Sequence, residues 1–296
     1  MRILSIGNFG HGWDGSICDE EHIAAALEGL GHKVIRLQRE GVTDTGLLTD
    51  VAFVLIAQWD GYSPDMIRVI KQKNTPVVYW AFDYQNDGQE WHERLVKEAD
   101  LYLSKRIADS KYPNWQWLSQ DFAPEFLDKY PKQRDDGLWN EPIKKDIDVL
   151  FTGSYLDWAK ERNETIEAVG KKFNLVIHSV NAWPQGNEGP VMDGELPALY
   201  ARAKVILSID HTLEAGYWSD RNAQIMACGR RPLFRYIPLS EARFGDRVDY
   251  FYSVEDCIKK IESWEEKPTN AEGLFVTDRV KDLLTIVENY LENRTV

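Results

Sequence analysis

The sequence predicts two tandem α/β domains, each a Rossmann-like doubly wound parallel sheet. Three observations carry this. Short apolar runs alternate with segments of helical period, the pattern of a parallel sheet with crossover helices. The alternation stops in a polar stretch from Lys129 to Lys145, containing Pro131, Asp135-Asp136, Gly137 and Pro142, and then begins again. The 296 residues suit two domains of roughly 150 residues each. The expected division is 1–140, 146–275 and a closing helix, 276–296, that packs back on the first domain.

In chain order, Arg2–Ile6 forms the first strand and Gly7 ends it. Ile23, Leu27 and Leu30 then mark a helix over Asp19–Leu30, stopped by Gly29 and Gly31. Further strands fall at Lys33–Leu37, Val51–Ala57, Pro76–Ala81 and Leu101–Ser104, with helices near 63–73 and 88–98. After the polar stretch come strands Ile147–Phe151, Leu175–His178, Val205–Ile209 and Pro232–Phe234. Helices Glu161–Lys172, Leu196–Ala201 and Asp220–Ala227 separate them. The closing helix places Val276, Val280, Leu283, Leu284, Val287 and Leu291 on one stripe.

Composition narrows the function. With 35 Lys and Arg against 48 Asp and Glu, the net charge is −13, and neither half of the chain is basic. A nucleic-acid partner is disfavoured, because neutralising phosphates takes clustered cations. Cys18, Cys228 and Cys257 are odd in number and widely spaced, so neither a disulfide framework nor a zinc knuckle is indicated. The start of the chain is too short in apolar residues for a signal sequence, and the longest apolar run, Val51–Ala57, is far below a membrane span. A cytoplasmic protein without a membrane span is expected.

Gly10-x-Gly12-x-x-Gly15 spells the dinucleotide fingerprint. Its setting differs from that motif, because Gly7 already ends the strand and helical sequence begins only at Asp19, after bulky Trp13. An NAD(P)- or flavin-dependent oxidoreductase built on this loop is therefore the alternative reading, not the first. Asp146-Ile147-Asp148 spells a metal–nucleotide motif but precedes its strand, whereas a metal pair belongs at a strand's exit. No other cluster has metal-ligand spacing, and no bound metal is expected. Open parallel sheets bind ligands beyond the carboxyl ends of their strands. In the second half those ends read Thr152-Gly153-Ser154-Tyr155, His178-Ser179, and Asp210-His211 leading into Gly216-Tyr217-Trp218-Ser219-Asp220-Arg221. Helix-start amides beside the Arg221 guanidinium would suit a diphosphate.

Three stretches carry a family resemblance. They are Asp146–Ser154 followed by Arg162, Glu195–Leu207, and Ser219–Gly229, with a weaker match at Leu118–Pro124. Together they resemble the nucleotide-sugar-binding half of a two-domain glycosyltransferase of GT-B type, in particular the CgeB-like group. The resemblance implies an interdomain cleft and metal-independent transfer of a sugar from a nucleotide diphosphate sugar, a UDP- or GDP-sugar. It needs no prosthetic group. It implies that Gly153 and Ser154 approach the phosphates, that Arg162 and Arg221 pair with them, and that Gln224 meets the ribose. His178, Gly216, Tyr217 and Ser219, at the strand ends and the loop before the helix, complete the expected donor site. Related retaining enzymes carry Glu where Gln224 stands and again eight residues earlier, at Gly216. Gln224 can hydrogen-bond a diol but supplies no charge.

On the acceptor side, Asp83 follows the strand Val77–Ala81 and is the first candidate base, with Asp14 and His11 as rivals. The 11 Trp residues, among them Trp13, Trp59, Trp80, Trp91, Trp115 and Trp117, include some whose faces would suit sugar or base. The acceptor is read as a glycan, protein or small molecule, or a modified DNA base. A non-catalytic sugar-nucleotide-binding module is the third reading, kept by the Gln224 and Gly216 departures.

Overall fold

The computed structural model describes residues 1–11, 17–38, 50–57, 70–82, 89–129, 144–191 and 193–294. They form two compact units, Met1–Gln120 with Val276–Val296, and Asp121–Phe275.

In the first unit, strands β1 (Arg2–Gly7), β2 (Lys33–Gln38), β3 (Phe53–Ala57), β4 (Val77–Ala81), β5 (Leu101–Ser104) and β6 (Trp115–Trp117) form one parallel sheet in the order β2-β1-β3-β4-β5-β6. β3, β4 and β5 are buried at every residue, which is why they read as unbroken apolar runs. Helix α1 (Asp19–Gly29) buries Ile23, Ala24, Ala26 and Leu27, and α2 (Glu90–Glu98) buries His92, Leu95 and Val96. Tyr79 and Tyr102 stack at 5.5 Å within the core. Of the expected 63–73 helix only 70–73 are described, helical over 70–72, and the stretch 130–143 lies outside the described residues.

The second unit holds β7 (Ile147–Thr152), β8 (Leu175–His178), β9 (Ala203–Ser208), β10 (Pro232–Arg235) and β11 (Asp249–Phe251), all parallel, in the order β11-β10-β9-β7-β8. Between them run α3 (Lys160–Gly170), α4 (Leu196–Arg202), α5 (Arg221–Ala227), α6 (Ser240–Phe244) and α7 (Val254–Glu262). β6, β11, α6 and α7 are additions to the sequence reading. The first three are too short for periodicity to register, at three, three and five residues.

The closing helix α8 (Val276–Arg294) buries Val276, Val280, Leu283, Leu284 and Val287 and packs on α1. It belongs to the first unit. The division falls between Gln120 and Asp121, not near residue 140. The reason is tertiary: Asp121, fully buried, forms an ion pair with Arg243, and the Ala123 N–H donates to Leu274 O at 2.7 Å. Arg243 also donates to Gly273 O, and Arg247 to Glu272 O. Segments 121–124 and 271–275 are thus held together inside the second unit.

Removing one partner of a buried pair leaves the other charge uncompensated. Arg243→Ala is expected to destabilise the protein by about 3 kcal/mol in urea unfolding, with a smaller loss for Arg243→Lys.

Candidate active site

Within the second sheet, connections from β7 run outward to β8 on one side and, through β9, to β10 and β11 on the other. The order reverses between β7 and β9, and in such sheets the crevice forms beyond the carboxyl ends of the strands at that point. The sequence places Thr152-Gly153-Ser154 at the end of β7 and Ile209-Asp210-His211 just past β9.

Two arginines meet there. Arg221 opens α5, and its Nη1 donates to Ile209 O at 3.2 Å and lies 3.5 Å from Asp210 Oδ1. Its guanidinium sits over the Phe151 ring at 5.3 Å. Arg162, on α3, is 4% exposed and donates from Nη2 to Ser154 O at 2.6 Å. Its guanidinium faces Trp183 at 5.9 Å. Gly153 is the hinge of this arrangement: a Cβ there would meet Arg221 Nη2 and the Phe151 ring, each at 2.9 Å. Its N–H donates to His178 O, and its carbonyl accepts from Trp183 Nε1.

The electrostatics are incomplete within the protein. Burial, then the charge of Arg221, pushes the Arg162 pKa down to about 10, with Asp210 opposing the shift. Several buried polar atoms on the same segments lack a protein partner: Arg162 Nε, Asp210 Oδ2, His178 Nδ1, Ser219 Oγ, and both amide atoms of Asn222. Buried polar groups are nearly always paired, so a cluster of exceptions calls for water or a ligand. An anion with several acceptor oxygens satisfies both the donors and the excess positive charge.

The remaining expected donor-site residues are placed as follows. Gly216 is buried with φ of 80°, and its N–H donates to Pro238 O. A side chain there would be strained, so the turn itself disfavours a Glu at this position. Tyr217 is buried against His211, with ring centroids 5.0 Å apart. Gln224 Nε2 donates to Asp220 Oδ2 at 2.5 Å. Neither Asp220 nor Ser219 caps α5 with its side chain, and the helix begins at Arg221, one residue later than the sequence suggests. At seven residues it is short, so the guanidiniums, not a long helix dipole, dominate the local field.

Residues 146–293, half of the chain, match the glycosyl transferase-like family. The chain belongs to that family. It is a glycosyltransferase, and its two parallel sheets have the GT-B fold. Solved structures similar to it include an α-glucosyltransferase in complex with UDP and a mismatched 13-mer DNA, at 12% identity and TM-score 0.63, covering 97% of this chain and all of that one. A T4 phage BGT mutant in complex with UDP-glucose matches at 12% identity and TM-score 0.58, covering 99% and 98%. An α1,3-fucosyltransferase matches at 12% and 0.59, covering 97% and 90%. No curated protein matches the chain.

Membership of this transferase family sets aside the oxidoreductase reading, and the first unit supplies a physical reason. Gly7, at the end of β1, is backed by Glu20: a Cβ at Gly7 would meet Glu20 Cγ at 2.6 Å. Asn8 N–H donates to that carboxylate at 3.2 Å, and Asp19, Glu20 and Glu21 fill the first turn of α1. A pyrophosphate would meet these acids. Of the fingerprint only Gly10 is described, with φ of 91°, while Gly12 and Gly15 lie outside the described residues.

The transferase's expected bases are mostly out of view. Asp14 and Asp83 lie outside the described residues, and His11 is exposed, bridged to Ile17. Asp146 and Asp148 stand at the opposite end of β7 from Gly153, paired with Arg202 and Lys204, which accounts for them as a solvated strand start. The sequence reading placed Asp210 at a strand end without giving it a role, and it missed Trp183 and Asn222 as parts of the site.

A cation whose pKa is lowered on folding opposes stability in full below its folded value of about 10, and the cost falls only as pH rises from there toward the ordinary arginine value. A bound anion would relieve it at neutral pH. Pyrophosphate is therefore expected to raise Tm at pH 7.5, an effect absent from Arg162→Met. Gly153→Ala is expected to lose about 1–3 kcal/mol in urea unfolding, because the fully buried Phe151 ring that the new methyl meets cannot shift freely.

Proposed function

We propose that this glycosyltransferase moves a sugar from a UDP- or GDP-linked donor to a hydroxyl acceptor without a bound metal. The observation that carries the reading is the pair of guanidiniums, buried Arg162 and partly exposed Arg221, sharing one carboxylate, Asp210, beside a set of unpartnered polar atoms at the switch point.

The chemistry follows from that geometry. As the glycosidic C–O bond breaks, negative charge collects on the departing diphosphate, and fixed cations in a desolvated site stabilise it without reorganising. Arg221 is oriented by Ile209 O and Asp210, and Arg162 by Ser154 O, so neither moves as charge develops. Gly153 and Ser154 let phosphate oxygens approach the backbone. Ser219 and His178 supply further donors, and Gln224 meets the ribose hydroxyls through its amide. Gly216 and Tyr217 shape the wall.

The acceptor is assigned to the first unit, with Asp83 as the base that takes the hydroxyl proton and Asp14 and His11 as alternates. A glycan, protein or small-molecule hydroxyl fits the charge of −13. A hydroxymethylated DNA base is the second reading, favoured by the similarity to glucosyltransferases solved with DNA. The protein is assigned to the cytoplasm: none of its three cysteines is in a disulfide, and among the described residues no helix is long and apolar enough to cross a membrane.

Calorimetry and thermal shift with UDP, GDP, ADP, TDP, CDP, NAD and NADP, without added metal, test the donor reading. One nucleoside diphosphate is expected to bind, and Arg221→Ala to weaken it roughly 100-fold, the loss of about two charge-assisted hydrogen bonds. Binding of NAD or NADP alone, untouched by Arg221→Ala, would refute the assignment. Asp83→Asn is expected to lower kcat at least about 100-fold while donor affinity holds, as removal of a general base does.

A further inference from the structure

On the loops that carry the guanidiniums' partners stands an aromatic group that the reading above leaves without a task. Trp158, in the loop that follows β7, is 50% exposed, although large apolar side chains are mostly buried in both units. It is not loose. Its ring meets His211 at 5.1 Å and 80°, and His211 in turn meets Tyr217 at 5.0 Å and 65°. Tyr217 is only 2% exposed, so the row is anchored in the core and ends in a presented indole.

The row's position is fixed by the chain. Trp158 lies four residues past Ser154, the residue that accepts from Arg162, and His211 directly follows Asp210, the residue that pairs with Arg221. Both loops leave the carboxyl ends of the two strands that flank the switch point. Gln224, proposed for the ribose, lies a turn along α5 from Arg221, and the Arg221 guanidinium reaches Ile209 and Asp210, the residues just before His211 of the aromatic row. With the nucleoside assigned to Gln224 and the diphosphate to the guanidiniums, the aromatic row is left for the donor's other end.

We propose that Trp158, held upright by His211 and Tyr217, is the platform on which the donor's glycosyl group rests. The proposal rests on the donor-site reading and deepens it by naming the sugar class: a pyranose with one face of axial C–H groups, as in gluco- or manno-configured hexoses. Such a face packs on an aromatic ring through dispersion and the attraction of polarised C–H groups to the π-cloud. The platform contributes binding to the sugar nucleotide and none to the nucleotide alone.

The test measures Kd for UDP, UDP-glucose, GDP and GDP-mannose by calorimetry on wild type, Trp158→Ala and Trp158→Phe. Because Trp158 is half exposed, both variants are expected to keep the wild-type Tm. For the nucleotide that binds, Trp158→Ala is expected to weaken the sugar conjugate about tenfold while the bare diphosphate keeps its Kd, and Trp158→Phe to recover most of the loss. An equal loss for diphosphate and conjugate would overturn the proposal, making the indole a nucleotide contact, and unchanged affinity for both would overturn it too. If neither UDP nor GDP binds wild type, the donor-site reading fails and takes the proposal with it.

Discussion

Two like charges at one strand end, one of them buried, are the constraint around which the second unit is organised. Placing Arg162 beside Arg221 is costly, since a guanidinium stripped of water near a second positive charge is disfavoured. The chain meets the cost with backbone carbonyls: Ser154 O for Arg162, Ile209 O for Arg221, and a single carboxylate, Asp210, for the pair. Phe151 and Trp183 wall the cations with ring faces instead of water. Gly153 is needed because any side chain would occupy the space of the Arg221 guanidinium. What is left over, one positive charge and several unpartnered donors, suits the diphosphate proposed for this site.

The two units apply one topology to different ends. Both sheets run parallel with a switch point beside their first strand. In the second unit that point is cationic. In the first it holds Glu20 behind Gly7 and a polar network in which Gln38 donates to Asn8 and Gln120 to Asp19. A site of that character is suited to hydroxyl groups rather than phosphates, in keeping with the division of donor and acceptor proposed for the enzyme.

Much of this was legible in the sequence, and what was not has physical causes. Strands buried on both faces announce themselves as apolar runs, so β3, β4 and β5 were read within a residue or two, and the stripe of α8 fixed its buried face. Three-residue edge strands such as β6 and β11 have too little length for a period. Helix α7 had a usable signal that the reading passed over: Ser253 accepts from the Asp256 N–H, the serine cap that a Ser-x-x-Asp pattern encodes, and Cys257, Ile258 and Ile261 form its buried stripe. The unit boundary was hidden because Asp121 and Arg243 meet across 122 residues of sequence. For the site, strand-end position singled out Gly153, Ser154 and Arg221, and family resemblance added Arg162. Trp183 and Asn222 enter the site only through tertiary packing, which no local pattern encodes.

The central claim, that Arg162 and Arg221 together hold a diphosphate, is tested most directly by arginine side-chain NMR. Nε–Hε resonances are assigned with Arg162→Lys and Arg221→Lys, then followed while UDP or GDP, and separately the parent nucleoside, is added. The account predicts that both resonances shift with the diphosphate and neither with the nucleoside. Resonances that stay in place while the diphosphate binds would contradict it.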